Sequence, residues 1–207
     1  MSRRHAWLRF TAGGPPLEHR LEGVSGSGAG GGRGGVADWQ EGLRALQGRW
    51  YAVDAPPQVA AAFVLQWVLQ VPAHTAAHAA AAGPWRAGLR GLTFSLGPAL
   101  VPELVRLTSL TADDGDLTAR LDRAEHDYRA VAAPLAAAYD AIVRIGPHAR
   151  DAFVDDMWVA ARREAESVSG LVRPGAAPRA SCCLIYALPG CVECAGCPRL
   201  REAPSHH

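Results

Sequence analysis

From Asp38 onward, apolar positions recur every third or fourth residue along much of the chain, the spacing of helices that bury one face. Asp38 is placed to cap a short helix through Gln47, with Trp39, Leu43 and Leu46 on one side. Pro56-Pro57 opens a longer segment. Val59, Phe63 and Trp67 repeat there at every fourth position, and Val64, Leu65, Val68 and Leu69 widen the apolar face. Pro72 is expected to kink or end that helix, because an interior proline removes an N–H and clashes with the preceding turn. Residues 73–82 are alanine-rich and helix-prone up to Gly83-Pro84. The stretch 89–110 is ambiguous: residues 92–96 alternate like a strand, while 98–107 fit a short helix interrupted at Pro102. Residues 111–115 read as a turn. Asp116 then caps a helix with the stripe Leu117, Leu121, Ala124, Tyr128 and Val131. Pro134 is expected to break it and start another helix running to Ile145. A last helix, from His148 to about Val168, turns Phe153, Trp158 and Val159 inward.

These elements predict a mainly α protein, a helical body followed by a short irregular or hairpin-like cysteine module. The expected organisation is a flexible segment over residues 1–35, a helical domain over 36–170 and the module over 171–207. The first segment ends in a glycine-rich tract over residues 23–35. Its GxGxG spacing superficially suits a dinucleotide, but no convincing strand precedes it and the glycines simply continue, so it reads as a linker.

A chain of 207 residues suits one domain with a small appendage. A net charge of +1 leaves no electrostatic footprint for nucleic acid or an anionic membrane. The chain contains no lysine, which excludes Schiff-base chemistry and a P-loop lysine. Residues 1–10 lack the apolar core of a secretory signal. The best membrane candidate, residues 59–71, is shorter than a span, is interrupted by Gln66 and Gln70, and stops at Pro72. A cytoplasmic protein without a transmembrane segment is expected. In a reducing compartment, the five cysteines point to metal or redox roles rather than disulfides.

All five cysteines fall between Cys182 and Cys197. Cys194 and Cys197 enclose Ala195-Gly196, a turn that aims two sulfurs at one metal. Cys191 and Cys194 form a second such pair, and Cys182-Cys183 lie across the Pro189-Gly190 turn. Four thiolates suit Zn²⁺, [2Fe–2S] or [4Fe–4S], and the spacing alone leaves the three open.

Cys182-Cys183, the ten residues 184–193 and Cys194-Ala-Gly-Cys197 together resemble the C-terminal signature of the FhuF-like ferric siderophore reductases. Leu184, Tyr186 and Pro189 look like that family's intervening residues, and Phe63-Val-Leu-Gln-Trp67 and Gly83-Pro-Trp85 extend the similarity more weakly into the body. The resemblance implies a [2Fe–2S] cluster held by Cys182, Cys183, Cys194 and Cys197, passing one electron to a ferric siderophore in the cytoplasm from an unidentified electron donor. The chain departs from the family pattern in three places. Cys191 stands where glycine is more usual and becomes an alternative ligand. Ala187 follows the tyrosine in place of a basic residue, and the Leu-Trp-Gly-Asn-like helix motif survives only as Asp156-Met-Trp158-Val.

The implied chemistry is coherent, because siderophore oxygens suit Fe³⁺ far better than Fe²⁺, so one electron loosens the chelate. Arg173, Arg179, Arg199 and Arg201 flank the module, either to raise its potential and attract an anionic complex or simply as solvated side chains. A non-catalytic electron carrier or cluster sensor, and a structural zinc-binding interaction domain, use the same thiolates. A [4Fe–4S] variant would recruit Cys191. Elsewhere, His74 and His78 sit at i and i+4 on one helix face, a metal spacing with no evident third ligand. Trp39, Trp50, Trp67, Trp85 and Trp158 are candidates for a siderophore pocket but fit core positions better. Asp113-Asp114 and Asp155-Asp156 diverge too much for paired-carboxylate catalysis, and His206-His207 read as tail.

Overall fold

The computed structural model describes residues 8–25 and 35–201. In chain order its strands and helices are β1 (Arg9–Ala12), β2 (His19–Arg20), α1 (Val36–Tyr51), α2 (Pro57–Ala82), β3 (Trp85–Ala87), β4 (Thr93–Leu96), β5 (Pro102–Leu107), β6 (Leu110–Ala112), α3 (Leu117–Ala138) and α4 (Pro147–Val168). The architecture is mainly α. One four-stranded sheet has the order β1-β5-β4-β2, with β1 parallel to β5 and the other pairs antiparallel; β3 and β6 form a separate antiparallel ribbon.

The organising element is α2. Pro57 occupies its first turn, where a missing N–H costs nothing. From Val59 to Ala80 nearly every side chain is buried, and the run of alanines lets α1, α3 and α4 approach closely. The helix has the length and apolar composition of a membrane span, but 78% of that window is buried inside the protein body. The helix does not end at Pro72 but continues through it to Ala82. An interior proline costs about 3 kcal/mol, which burial along a whole helix outweighs. Pro134 likewise lies inside α3, whose end comes at Ala138. That proline is exposed, so the carbonyl it leaves without a partner faces solvent.

Asp116 caps α3 as expected, its side chain accepting from the Ala119 N–H at 2.8 Å. Asp38, by contrast, lies in the first turn of α1, and Gly35 holds the cap position. The far end of α3 is closed by Arg150, which donates to the Ala136 and Ala137 carbonyls at 2.7 and 2.9 Å, a cation at the negative end of the helix dipole. Buried hydrogen bonds fix the helices to one another. Tyr128 donates to Val154 O at 2.9 Å and Tyr139 to Ala61 O at 2.8 Å. Burial pushes both phenols well above their ordinary pKa, so they stay protonated and able to donate. The fully buried Gln40 donates to Asp140 O and accepts from the Ile142 N–H, each at 2.9 Å, which pins the α3–α4 connection to α1.

Three further expectations are corrected. Residues 8–25, expected as part of a flexible start, carry β1 and β2, and Leu8 and Leu21 are fully buried. Such short strands have no pattern of their own, and the order comes from pairing with β5 and β4 far along the chain. The glycine-rich tract that follows falls largely outside the described residues. Residues 102–107 are strand β5 rather than helix. Val159 points outward, at 43% exposure, while Phe153 and Trp158 are buried as expected.

Candidate metal centre

After α4 the chain has almost no regular structure: a 3₁₀ turn at Ile185–Ala187 and another at Pro198–Arg201. Its path is set by specific hydrogen bonds. Arg179 N–H donates to Gly196 O at 3.0 Å, which lays the entering strand of chain against the Cys194–Cys197 turn. That approach is close enough that a Cβ on Gly196 would meet the Ala177 carbonyl at 2.4 Å, so glycine is required there by space. The turn itself closes with Cys197 N–H donating to Cys194 O at 2.8 Å.

Asp156 of α4 anchors the module. Its carboxylate, 6% exposed, accepts from the Ala180 N–H at 3.0 Å, from the Ser181 N–H at 2.7 Å and from the Ser181 hydroxyl at 2.5 Å. Arg179 completes the anchor, donating to Gln66 Oε1 and Ser181 Oγ at 3.0 Å, with Nε 3.7 Å from Asp156. Arg179 is therefore tied to the body, and its guanidinium lies over the Phe153 ring at 5.9 Å. Arg199 instead stacks on Tyr186 at 4.2 Å and pairs with Glu193 at 3.4 Å, bracing the two arms of the module at the surface. Arg173 is exposed, and the Arg201 side chain lies outside the described residues.

All five cysteines are free thiols. Burial aside, Cys197 and Cys194 lie near enough to Cys182, and Cys194 and Cys182 near enough to Cys183, to push up the thiol pKa, so the four share one neighbourhood. Backbone N–H groups reach the same sulfurs. Leu184, in the left-handed region at φ 61°, donates to Cys182 Sγ at 3.4 Å, and Ile185 donates to Cys183. Such N–H···S bonds stabilise thiolate charge and tune cluster potentials. Burial nonetheless pushes the Cys182 and Cys183 thiols up, so their negative charge needs a cation to stabilise it. Cys191 faces elsewhere. It contacts the Tyr51 hydroxyl at the end of α1 and packs beside the small cluster of Ala55, Val59 and Leu188. Four neighbouring thiols, two of them accepting from backbone N–H groups, are a donor set that fits an iron–sulfur cluster.

Residues 179–199 match the family model of the FhuF 2Fe-2S C-terminal domain. The cysteine segment is similar to the FhuF-type 2Fe–2S module. The match lies within the segment after α4, and no curated protein or solved structure matches the chain. The match begins at Arg179, the residue that ties the segment to α2 and α4.

The remaining candidates are dispersed. Trp39 and Trp158 are buried, Trp67 stacks on Trp39 at 6.2 Å, and Trp50 and Trp85 lie at the surface, so the tryptophans do not line one pocket. Asp113 pairs with Arg123 and Asp155 with Arg129, both at 2.6 Å. His206-His207 lie outside the described residues. Sequence reasoning missed Asp156 as an anchor. Its only signal was the inward phase it shares with Phe153 and Met157 on α4.

Proposed function

We propose that the protein is a cytoplasmic ferric-siderophore reductase, with Cys182, Cys183, Cys194 and Cys197 holding a [2Fe–2S] cluster. The observation that carries this reading is the match of residues 179–199 to the FhuF 2Fe-2S domain, on a segment whose four thiols share one neighbourhood. When bound, the cluster supplies a single electron, taken from a separate donor, that converts siderophore-bound Fe³⁺ to Fe²⁺. The chain's own part is to hold the thiols and leave them near solvent: Cys182 and Cys194 are partly exposed, while Cys183 and Cys197 face inward. No covalent bond of the siderophore has to break, because hard anionic oxygens release the softer Fe²⁺. Around the module, Arg199 and Arg173 are exposed cations suited to an anionic ferric complex. Cys191, turned toward Tyr51, stays outside the ligand set in this reading.

The test begins with anaerobically purified protein: visible absorption, reduced-state EPR, and iron, sulfide and zinc per chain. The reduced protein is then mixed with a ferric hydroxamate siderophore and with a ferric catecholate one. Reoxidation of the cluster with one Fe²⁺ trapped per electron establishes the reductase. A normal cluster that reoxidises only with a protein partner establishes a carrier instead. A colourless protein with one zinc, unchanged by reconstitution, overturns the iron–sulfur reading.

A further inference from the structure

His74 and His78 stand on α2 at the fourth-residue spacing that aligns side chains on one helix face, and both are almost fully buried, at 3% and 2% exposure. Their rings stack with centroids 5.8 Å apart and an interplanar angle of 15°. The third member comes from α4. Glu164 places Oε2 at 3.4 Å from His74 Nδ1 and Oε1 at 3.6 Å from His78 Nε2. One potential ligand atom from each of the three residues lies within 4.8 Å of the others.

The spacing is informative. Hydrogen bonds between such groups settle at about 2.7–3.2 Å. Two N or O ligands each about 2.1 Å from a shared tetrahedral ion stand about 3.4 Å apart. The observed separations, one to each carboxylate oxygen, are of the size that neighbouring ligands of one ion take. The two imidazoles sit in an alanine-lined seam between α2 and α4. Access is through the carboxylate. The Glu164 side chain is 30% exposed and lines a surface recess of about 260 Å³ with Arg163, Ser167, Gly175 and Ala177.

We infer that His74, His78 and Glu164 form a binding site for a divalent first-row transition ion, separate from the thiolate module. Two imidazoles and one carboxylate favour Zn²⁺, Fe²⁺ or Co²⁺ over Mg²⁺ or Ca²⁺, and three protein ligands leave a position open to water or a small anion. The site goes beyond the reductase reading and stands without it, since none of its ligands belongs to the module. It is close to the module all the same. Gln66 and Asp156 both meet Arg179, and eight residues further along each helix His74 meets Glu164, so α2 and α4 run parallel and the cluster lies about 12 Å along the seam from the Arg179 anchor.

The test uses the full chain with its cluster loaded, under anaerobic conditions. Equilibrium dialysis against Zn²⁺ is expected to give one ion per chain beyond the metal of the cluster. Glu164→Gln and His78→Gln are each expected to weaken that binding at least about tenfold while the visible spectrum of the cluster is unchanged. Co²⁺ taken up at the same site is expected to show d–d bands without a thiolate charge-transfer band. Wild-type protein that binds no extra ion, variants that bind as the wild type does, or a thiolate band with Co²⁺ would each overturn the site. Should His78→Gln fail to fold, Glu164→Gln decides the matter, because that side chain is partly at the surface and keeps its size.

Discussion

The helical body and the cysteine module are stabilised in opposite ways. Along α2 the buried side chains are aliphatic and near-continuous, with Val59, Leu65 and Leu69 all at 0% exposure, so the body is maintained by many small apolar contacts. Between Ser169 and Arg201 the module contributes few buried apolar side chains, chiefly Leu188 with Cys183 and Cys197. It is held instead by one carboxylate, one guanidinium and the chemistry of its thiols. The difference teaches that the body tolerates small losses spread over many residues, whereas the module depends on a few.

The largest effects should come from removing what only the module uses. Cys194→Ser or Cys197→Ser is expected to abolish visible absorption and the reduced EPR signal while helical circular dichroism stays, and Cys191→Ser is expected to leave all three intact. A bleached Cys191→Ser protein beside a coloured Cys183→Ser protein would show that the ligand set has been misassigned. Next comes the anchor. Asp156→Asn replaces one of the two buried carboxylate oxygens, which between them accept from Ala180 and Ser181, with an NH₂ donor and leaves Arg179 without its carboxylate, a loss of about 3 kcal/mol. Faster cluster loss and new proteolytic cleavage around residues 170–181 are the readouts; a module as stable as in the wild type would mean that Asp156 is incidental. Leu188→Ala tests the apolar foothold on Ala55 and Val59, with about 2–3 kcal/mol expected from the cavity, read as a lower unfolding midpoint of the cluster signal.

The smallest effect belongs to the body. His19 stacks on Phe94 at 5.3 Å and beside Trp39 at 6.0 Å, and burial lowers its pKa from 6.5, partly offset by Glu18. The unfolded chain therefore takes up this proton at a higher pH than the native one. Stability from neutral His19 is fully present above about pH 6.5 and declines as the pH falls through the lower native value. His19→Gln is expected to flatten that slope in Tm measured between pH 7 and 5; an unchanged slope would place the acid sensitivity elsewhere.

Helices with strong periodicity were legible because each carries its own buried stripe, as α3 does through Leu121, Ala124 and Tyr128. Pro72 and Pro134 misled because the local rule yields to packing at one and to solvent exposure at the other. β1 and β2 were invisible because short strands take their order from distant partners. The cysteines stood out because their donors are close in sequence. Glu164 did not, since it reaches His74 from another helix far along the chain. Arg179 was legible as a flanking charge, but its burial against Gln66 depends on how α2 and α4 lie together.

The contacts that seat the module all point backward along the chain, to Tyr51, Val59, Gln66 and Asp156. During synthesis at ~5–20 residues per second, Cys197 leaves the ribosome roughly two to eight seconds after Asp156. Helices form within about a microsecond, so the receiving surface has time to assemble before the last thiol arrives. Maturation thus has a built-in order, in which the scaffold is finished first and the metallocofactor is delivered to a waiting seat.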